Sequence, residues 1–293
     1  MRVLVIAGTG FIGQFVSRGL VDEGHEVTVM HRGKHDLDKR VPGAVSLINS
    51  EPLSSMSALR EGLAAGPDRV VHMLAMTEAD ARSAREVFAG KIERLVFASS
   101  GDVYLAYGRF IGSEPGPIEP MPLFADSSPL RSKFYPYRTI QTPSESLAYG
   151  YEKILVERLL MGAPDLNSVC LRLPKVYGAE NNRFETVYRF AKYPHWRWTH
   201  GYVENVAAAI TLALLHPSAG GRIYNVGELE TPAVADRVAR LPPSTSGAVL
   251  DETHEFGQDI VFDTRPIRQE LGYREPVSWE ESVRRTLGQA RAG

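Results

Sequence analysis

Residues 3–34 read VLVIAGTGFIGQFVSRGLVDEGHEVTVMHRGK, and this stretch decides the fold. Residues 3–6 form a continuous apolar run, which predicts a buried strand. Gly8 and Gly10 end that run at once. Over 11–23 the apolar residues Phe11, Val16, Leu20 and Val21 recur near helical spacing, and Gly24 supplies a stop. A second strand is predicted over 27–30. Between strand and helix, Gly8-Thr9-Gly10-Phe11-Ile12-Gly13 matches G-x-G-x-x-G. In that setting glycines permit a tight turn and close backbone approach to a pyrophosphate, and the helix start offers free N–H groups with a positive dipole end. The structural alternative is a glycine-rich turn that only packs helix on strand.

The alternation continues outward. Strands are predicted at 45–48, 69–74 and 95–98, with helices at 56–63 and 79–88 between them. Repeated strand–helix units with continuous apolar strands imply a parallel sheet covered on both faces. Right-handed crossovers then make it a doubly wound α/β fold, with ligands at the carboxyl edge of the strands. The pattern breaks after Tyr104. Residues 105–145 are rich in Pro, Gly, Ser and Tyr without sustained periodicity, so they read as a long loop, either over the site or as a surface excursion. Helices follow at 146–160, 203–215 and 280–287, with strands at 168–173 and 222–226. The expected division is a dinucleotide-binding domain over 1–173. Residues 174–293 are expected to be mainly a small, shortened substrate-binding subdomain, with elements returning to the first domain.

Composition sets bounds. The chain has 293 residues, 43% of them hydrophobic, which suffices for a substantial core. A net charge of −2 gives no global pull toward nucleic acid or an anionic membrane, so neither partner is expected. The lone Cys170 excludes an intrachain disulfide and sits in an apolar run as a buried thiol, which suits a cytoplasmic setting. No stretch approaches the length of a spanning helix, and the first apolar run is too short for a signal peptide. The eight histidines form no H-x-x-x-H or His/Cys cluster, so no metal site is expected.

The end of the second strand bears on the cofactor. An acid there would hold the ribose hydroxyl of NAD, but the residues are Met30-His31-Arg32-Gly33-Lys34. Arg32 can fork onto a 2′-phosphate, and Lys34 adds charge, so NADP is expected. NAD stays compatible if Arg32 is solvated or stacks on adenine.

Two further motifs suggest chemistry. Ser99 and Ser100 follow the fifth apolar strand, and Tyr149 and Lys153 lie one turn apart on a predicted helix. Hydride transfer at an oxygen-bearing carbon needs a matched proton transfer at that oxygen. Tyrosine, with a pKa of about 10, is a poor base near neutrality unless a neighbouring cation favours the phenolate. Lys153 supplies such a cation, and Ser100 can donate to the substrate oxygen as charge develops there.

Taken together, these motifs resemble the extended short-chain dehydrogenase/reductase family, in its NAD-dependent epimerase/dehydratase branch. The resemblance runs through 8–13, Val71-His72-Met73-Leu74-Ala75, 99–104, 149–153, 171–178 and Tyr224-Asn225-Val226-Gly227, and reaches about residue 287. It implies a Rossmann fold, Ser100, Tyr149 and Lys153 as catalytic residues, and Leu74, Ala75 and Pro174 along the cofactor. Gly8, Thr9, Gly10, Phe11, Ile12, Gly13, Arg32, Ser99, Lys153 and Val176 complete the expected cofactor contacts. Similar enzymes pair as homodimers through four helices, here those at 79–88 and 146–160. The expected activity is hydride transfer at a hydroxyl- or keto-bearing carbon of a small molecule. Transient transfer in a nucleotide-sugar epimerase or dehydratase, or a non-catalytic NADP-sensing or RNA-binding role, are the alternatives.

The chain departs from the branch at four places. Ala7 stands at the family's first glycine, and the acid expected near 49–51 is displaced. The gap from Ser100 to Tyr149 is long, and 179–200 and 228–260 are short. Those last segments choose the substrate, which weakens a nucleotide-sugar assignment. Asp102, Tyr104, Asn181 and Arg183 are candidate substrate contacts. Asp102 can equally serve a turn, and Asn182 can cap a helix. The aromatic and basic run from His195 to His200 is expected to pack the short subdomain, with ring stacking on a ligand as the other reading.

Overall fold

The computed structural model describes residues 1–132, 145–182, 184–243 and 254–288, except for the side chains of 145–151 and 185. Nine strands are named among them: β1 Arg2–Ile6, β2 Glu26–His31, β3 Val45–Ile48, β4 Arg69–His72, β5 Arg94–Ser100, β6 Ser168–Leu173, β7 Lys175–Tyr177, β8 His200–Tyr202 and β9 Ile223–Asn225. The α-helices are α1 Gly13–Asp22, α2 Leu37–Arg40, α3 Met56–Ala64, α4 Glu78–Phe88, α5 Leu105–Phe110, α6 Glu145–Met161, α7 Phe184–Arg189, α8 Val203–Leu215, α9 Val234–Ala239, α10 Arg265–Leu271 and α11 Trp279–Thr286.

Seven strands form one parallel sheet in the order β3-β2-β1-β4-β5-β6-β9. The predicted doubly wound fold is therefore the observed one. Strand alternation divides the core. Val3 and Val5 of β1 face α1 and α8, packing with Val16, Leu20, Val206 and Ile210. Leu4 and Ile6 face the other way, toward Leu59, Ala84, Phe88, Val156 and Leu160 of α3, α4 and α6. Both β9 and α8 come from residues beyond 173, so part of the second half of the chain builds the main sheet and its cover. The short parallel pair β7–β8 stands apart from that sheet. Among the described residues no helix is long and apolar enough to cross a membrane.

The largest correction concerns 105–145. Its described part is not a structureless loop. Residues 105–110 form α5, and Ala106 and Phe110 are buried with Val103, Tyr104, Leu123, Trp196, Ile260 and Phe262. Leu123 exchanges backbone hydrogen bonds with Val261 and Asp263, tying this segment to the 260s. Arg131 reaches Glu114 at 3.3 Å with both side chains almost wholly buried, and the Ser132 N–H donates to the same carboxylate. A helix of six residues holding a glycine is too short for periodicity to reveal. Residues 133–144 lie outside the described set. The run 195–200 packs as expected, since Trp196 stacks on Phe110 at 4.8 Å between ring centres.

The buried Glu114–Arg131 pair yields a stability prediction. Removing one partner leaves the other charge uncompensated in the interior, at a cost of about 3–5 kcal/mol. Glu114→Ala is expected to lose that much in urea unfolding, and the paired change Glu114→Leu with Arg131→Met should restore much of it. A single substitution costing under about 1 kcal/mol would show that the pair does not anchor this segment.

Candidate functional site

The glycine turn is shaped by close approach. Past β1, Ala7 adopts φ +64°, a left-handed conformation that favours the glycine expected there. Its carbonyl accepts from the Gly10 N–H at 3.0 Å. A Cβ on Gly13 would lie 2.4 Å from that same carbonyl oxygen, so only glycine lets α1 approach the strand this closely. No side chain caps the start of α1. The Gln14 N–H bonds the Gly10 carbonyl and those of Phe15 and Val16 the Ile12 carbonyl, so what the turn offers an anion is the positive end of the α1 dipole and close backbone approach, a cradle that fits a dinucleotide pyrophosphate. Over the loop, Arg40 donates to the Thr9 carbonyl at 3.1 Å and to Glu180 at 3.2 Å, while Gln14 donates to Glu180 at 2.9 Å.

At the end of β2, His31 is buried and bonds Ser46 at 2.9 Å. Burial, and then the charge of His35, hold its pKa below the ordinary value. Gly33 turns the chain at φ +69°, leaving Arg32 and Lys34 exposed on either side of it. A cationic rim therefore flanks the position where an adenosine ribose would lie in this fold.

The carboxyl ends of β4, β5 and β6 open into a cleft of about 440 Å³. Phe11, Ile12, Leu74, Ser99, Ser100, Lys153, Pro174 and Val176 line it, together with Asp102 and Asn181. Lys153 is 1% exposed, and its Nζ donates to the carbonyls of Ala98 at 2.7 Å and Ala75 at 2.9 Å. Burial lowers its pKa to about 8, against the partial support of Glu157, Asp80 and Asp102. Ala75 contributes this carbonyl from beneath the cleft and does not line it. Ser99 turns its hydroxyl to Glu157, which also holds Arg172 by two hydrogen bonds.

Ser100 accepts from the Asp102 N–H at 3.3 Å and so caps the turn after β5. Burial raises the Asp102 carboxyl above its ordinary pKa, opposed by Ser100 and by the charges of Lys175, Arg131 and Lys153. His72 is fully buried, and burial with the Lys153 charge lowers its pKa to about 3, so it stays neutral beside the lysine. Residue 149 lies in α6 one turn before Lys153, but its side chain is outside the described set. Arg183 is outside it too.

Tyr104 proves to stand behind the cleft. It is fully buried, donates to Asn225 at 2.7 Å and carries the Arg172 guanidinium over its ring. That network occupies the hydroxyl proposed for substrate. The cleft instead gains walls that were not expected from the sequence, Lys175, Ile260, Phe262 and Tyr107, together with Trp198 of the 195–200 run. A charge inside Leu173-Pro174-Lys175-Val176-Tyr177 was a legible signal for Lys175. Tyr107, Ile260 and Phe262 had none, because they come together from segments far apart in sequence.

Comparisons with known proteins agree with this architecture. Residues 3–88 match the model of the NAD dependent epimerase/dehydratase family. A UDP-N-acetyl-alpha-D-glucosaminuronate decarboxylase of Bacillus cytotoxicus is 24% identical, over 98% of this chain and 96% of that protein. The Arabidopsis thaliana chloroplast stem-loop binding protein of 41 kDa b is 32% identical over 36% of this chain and 30% of its own. The solved Thermus thermophilus UDP-glucose 4-epimerase, complexed with NAD, superposes with a TM-score of 0.68 at 21% identity, covering 100% of both chains. Residues 3–88 thus match the family's model, and the whole chain shares the fold of the solved epimerase.

The Lys153 environment predicts a pH dependence. Folded, the side chain releases its proton near pH 8, whereas unfolded it holds the proton to about 10.5. Between those values the unfolded state binds more protons, so this group makes stability rise with pH. Urea unfolding of the cofactor-free parent, referenced to Lys153→Met, should gain at most about 1.4 kcal/mol per pH unit across that window. A flat difference would mean that Lys153 is not desolvated.

Proposed function

We propose that this chain is a nicotinamide-dinucleotide enzyme that moves hydride to or from a hydroxyl- or keto-bearing carbon of a small molecule. One observation carries the reading: Lys153 is buried between the ends of β4 and β5, beside Ser100 and in the same cleft as Phe11 and Ile12 of the glycine loop. When bound, the nicotinamide supplies hydride acceptance or donation. The protein's part is then the proton and the oxygen. Tyr149, one helical turn from Lys153, is the proposed acid/base, and the lysine's positive charge favours its phenolate. Ser100 donates to the reacting oxygen as negative charge grows there. Lys153 is also the proposed ribose contact, and Asp102 and Asn181 are proposed substrate contacts.

The cofactor is a nicotinamide dinucleotide, as in the Thermus thermophilus epimerase that holds NAD. NADP is the proposed form for this chain. Arg32 and Lys34 are exposed at the ribose end of the cradle, and no acid follows β2 within 31–34. Transient hydride transfer without net redox is a second reading, supported by the epimerase likeness. An RNA-binding role rests on the shared segment with the chloroplast stem-loop binding protein and explains none of the cleft chemistry. A homodimer through α4 and α6 is also proposed. These helices present Arg82, Arg85, Leu155 and Leu159 along shared surface grooves, and sedimentation as a monomer at working concentration would remove it.

Two measurements test the main reading. Calorimetric titration should give tighter binding of NADP than NAD, and Arg32→Ala should weaken NADP at least tenfold while changing NAD much less. Tighter NAD binding would reverse the cofactor preference. In turnover assays that follow both nicotinamide absorbance and rearranged products, Tyr149→Phe and Lys153→Met should lose about 10²–10⁴-fold in kcat, the usual worth of general acid–base catalysis. Full activity in either variant would overturn the assignment.

A further inference from the structure

The substrate end of the cleft carries a second ammonium group. Among the described lining residues the cations are Lys153 and Lys175. Lys153 is committed to two backbone carbonyls. Lys175 opens β7, where its N–H donates to the Thr199 carbonyl at 3.2 Å and its Cα pairs with His200. A side chain on a paired strand starts from a fixed point. Its Nζ lies 4.7 Å from the centre of the Trp198 ring. That ring is itself held, since the Trp198 carbonyl accepts from the buried Arg237 at 3.0 Å and its indole contacts Phe110, Phe190 and Trp196. The rest of this wall is Tyr107, Ile260 and Phe262.

A cation against aromatic and aliphatic walls attracts an anion more strongly than the same cation in water, because the local dielectric is low. We infer that Lys175, braced on Trp198, anchors a carboxylate of the substrate, making that substrate a hydroxy or keto acid. This deepens the proposed function and rests on it. A monoanion suits the site better than a phosphate. A single ammonium serves it, and no arginine fork lines the cleft among the described residues. The anchored carboxylate fixes the substrate at one end while its oxygen-bearing carbon meets Ser100 at the other. Lys175 is thus a specificity-determining residue, distinct from the groups that move the proton.

The test uses the full chain saturated with its dinucleotide. Its probes are 2-, 3- and 4-hydroxy acids, aliphatic and aryl, each with its methyl ester and a phosphate ester of the same skeleton. Binding is read from tryptophan fluorescence, which Trp198 reports without turnover, and kcat and KM are measured wherever turnover occurs. The parent should prefer the acid to the ester at least tenfold, chiefly in Kd or KM. Lys175→Met should bring that ratio near unity, and Lys175→Arg should retain most of it. Equal affinity for acid and ester in the parent, or a preference that survives Lys175→Met, overturns the inference. So does a parent that favours the phosphate esters. Failure of the hydride-transfer reading is distinguishable: Tyr149→Phe and Lys153→Met would then act as fast as the parent, whatever the acid-to-ester ratio.

Discussion

The site depends on one buried cation. Lys153 sits 1% exposed with its ammonium held by the carbonyls of Ala98, at the end of β5, and Ala75, just past β4. Moving an ammonium out of water is costly unless hydrogen bonds and nearby negative groups compensate it. Here two main-chain carbonyls take the hydrogen bonds and Glu157, Asp80 and Asp102 add charge support, so the lysine is accommodated where the two strand ends and α6 meet in one geometry. The same contacts that make the charge tolerable fix where Ser100 and the cofactor cradle stand relative to it. Positioning and chemistry are therefore not separable at this residue.

A second buried network works one layer below. Glu157, one turn after Lys153 on α6, holds Arg172 of β6 and Ser99 of β5. Arg172 lies over the Tyr104 ring, and Tyr104 donates to Asn225 of β9. Asn225 in turn donates to the Leu123 carbonyl at 2.8 Å. The chain of contacts joins the central strands to the segment that walls the cleft. Such networks favour one arrangement because each member left unpaired would cost its full desolvation. Tyr104 illustrates the consequence: a hydroxyl next to the Ser100 turn in sequence is spent on holding the wall in place.

The cofactor half was legible because its physics is local. Apolar runs and glycines act within a few residues, so the β1–turn–α1 unit and the helix that carries Lys153 could be read in order along the chain. Ala7 was legible as a departure, and its left-handed backbone shows what the missing glycine would have relieved. The substrate half was opaque for the opposite reason. Its wall draws α5, Trp198 and the strand-like 260s from distant segments, and none of these is long enough to show a period. Leu105-Ala106-Tyr107-Gly108-Arg109-Phe110 is helical because Ala106 and Phe110 find partners such as Trp196 and Ile260, not because its own sequence demands a helix. Propensity gave way to tertiary contact, which a linear reading cannot see.

This difference in origin also explains how the two halves divide the work. The glycine cradle tolerates almost no change, since a single Cβ at Gly13 would collide with the main chain at 2.4 Å. The aromatic wall is made of interchangeable apolar area, where changes that conserve volume usually cost little. One fixed half can hold a common cofactor while the other is rebuilt around a particular substrate. Within that adaptable wall, Lys175 is the exception. A charge among rings is not replaceable by bulk, and it has a definite direction. The position of that one ammonium, set by β7 and braced by Trp198, carries more information about the substrate than the shape of the apolar surface around it.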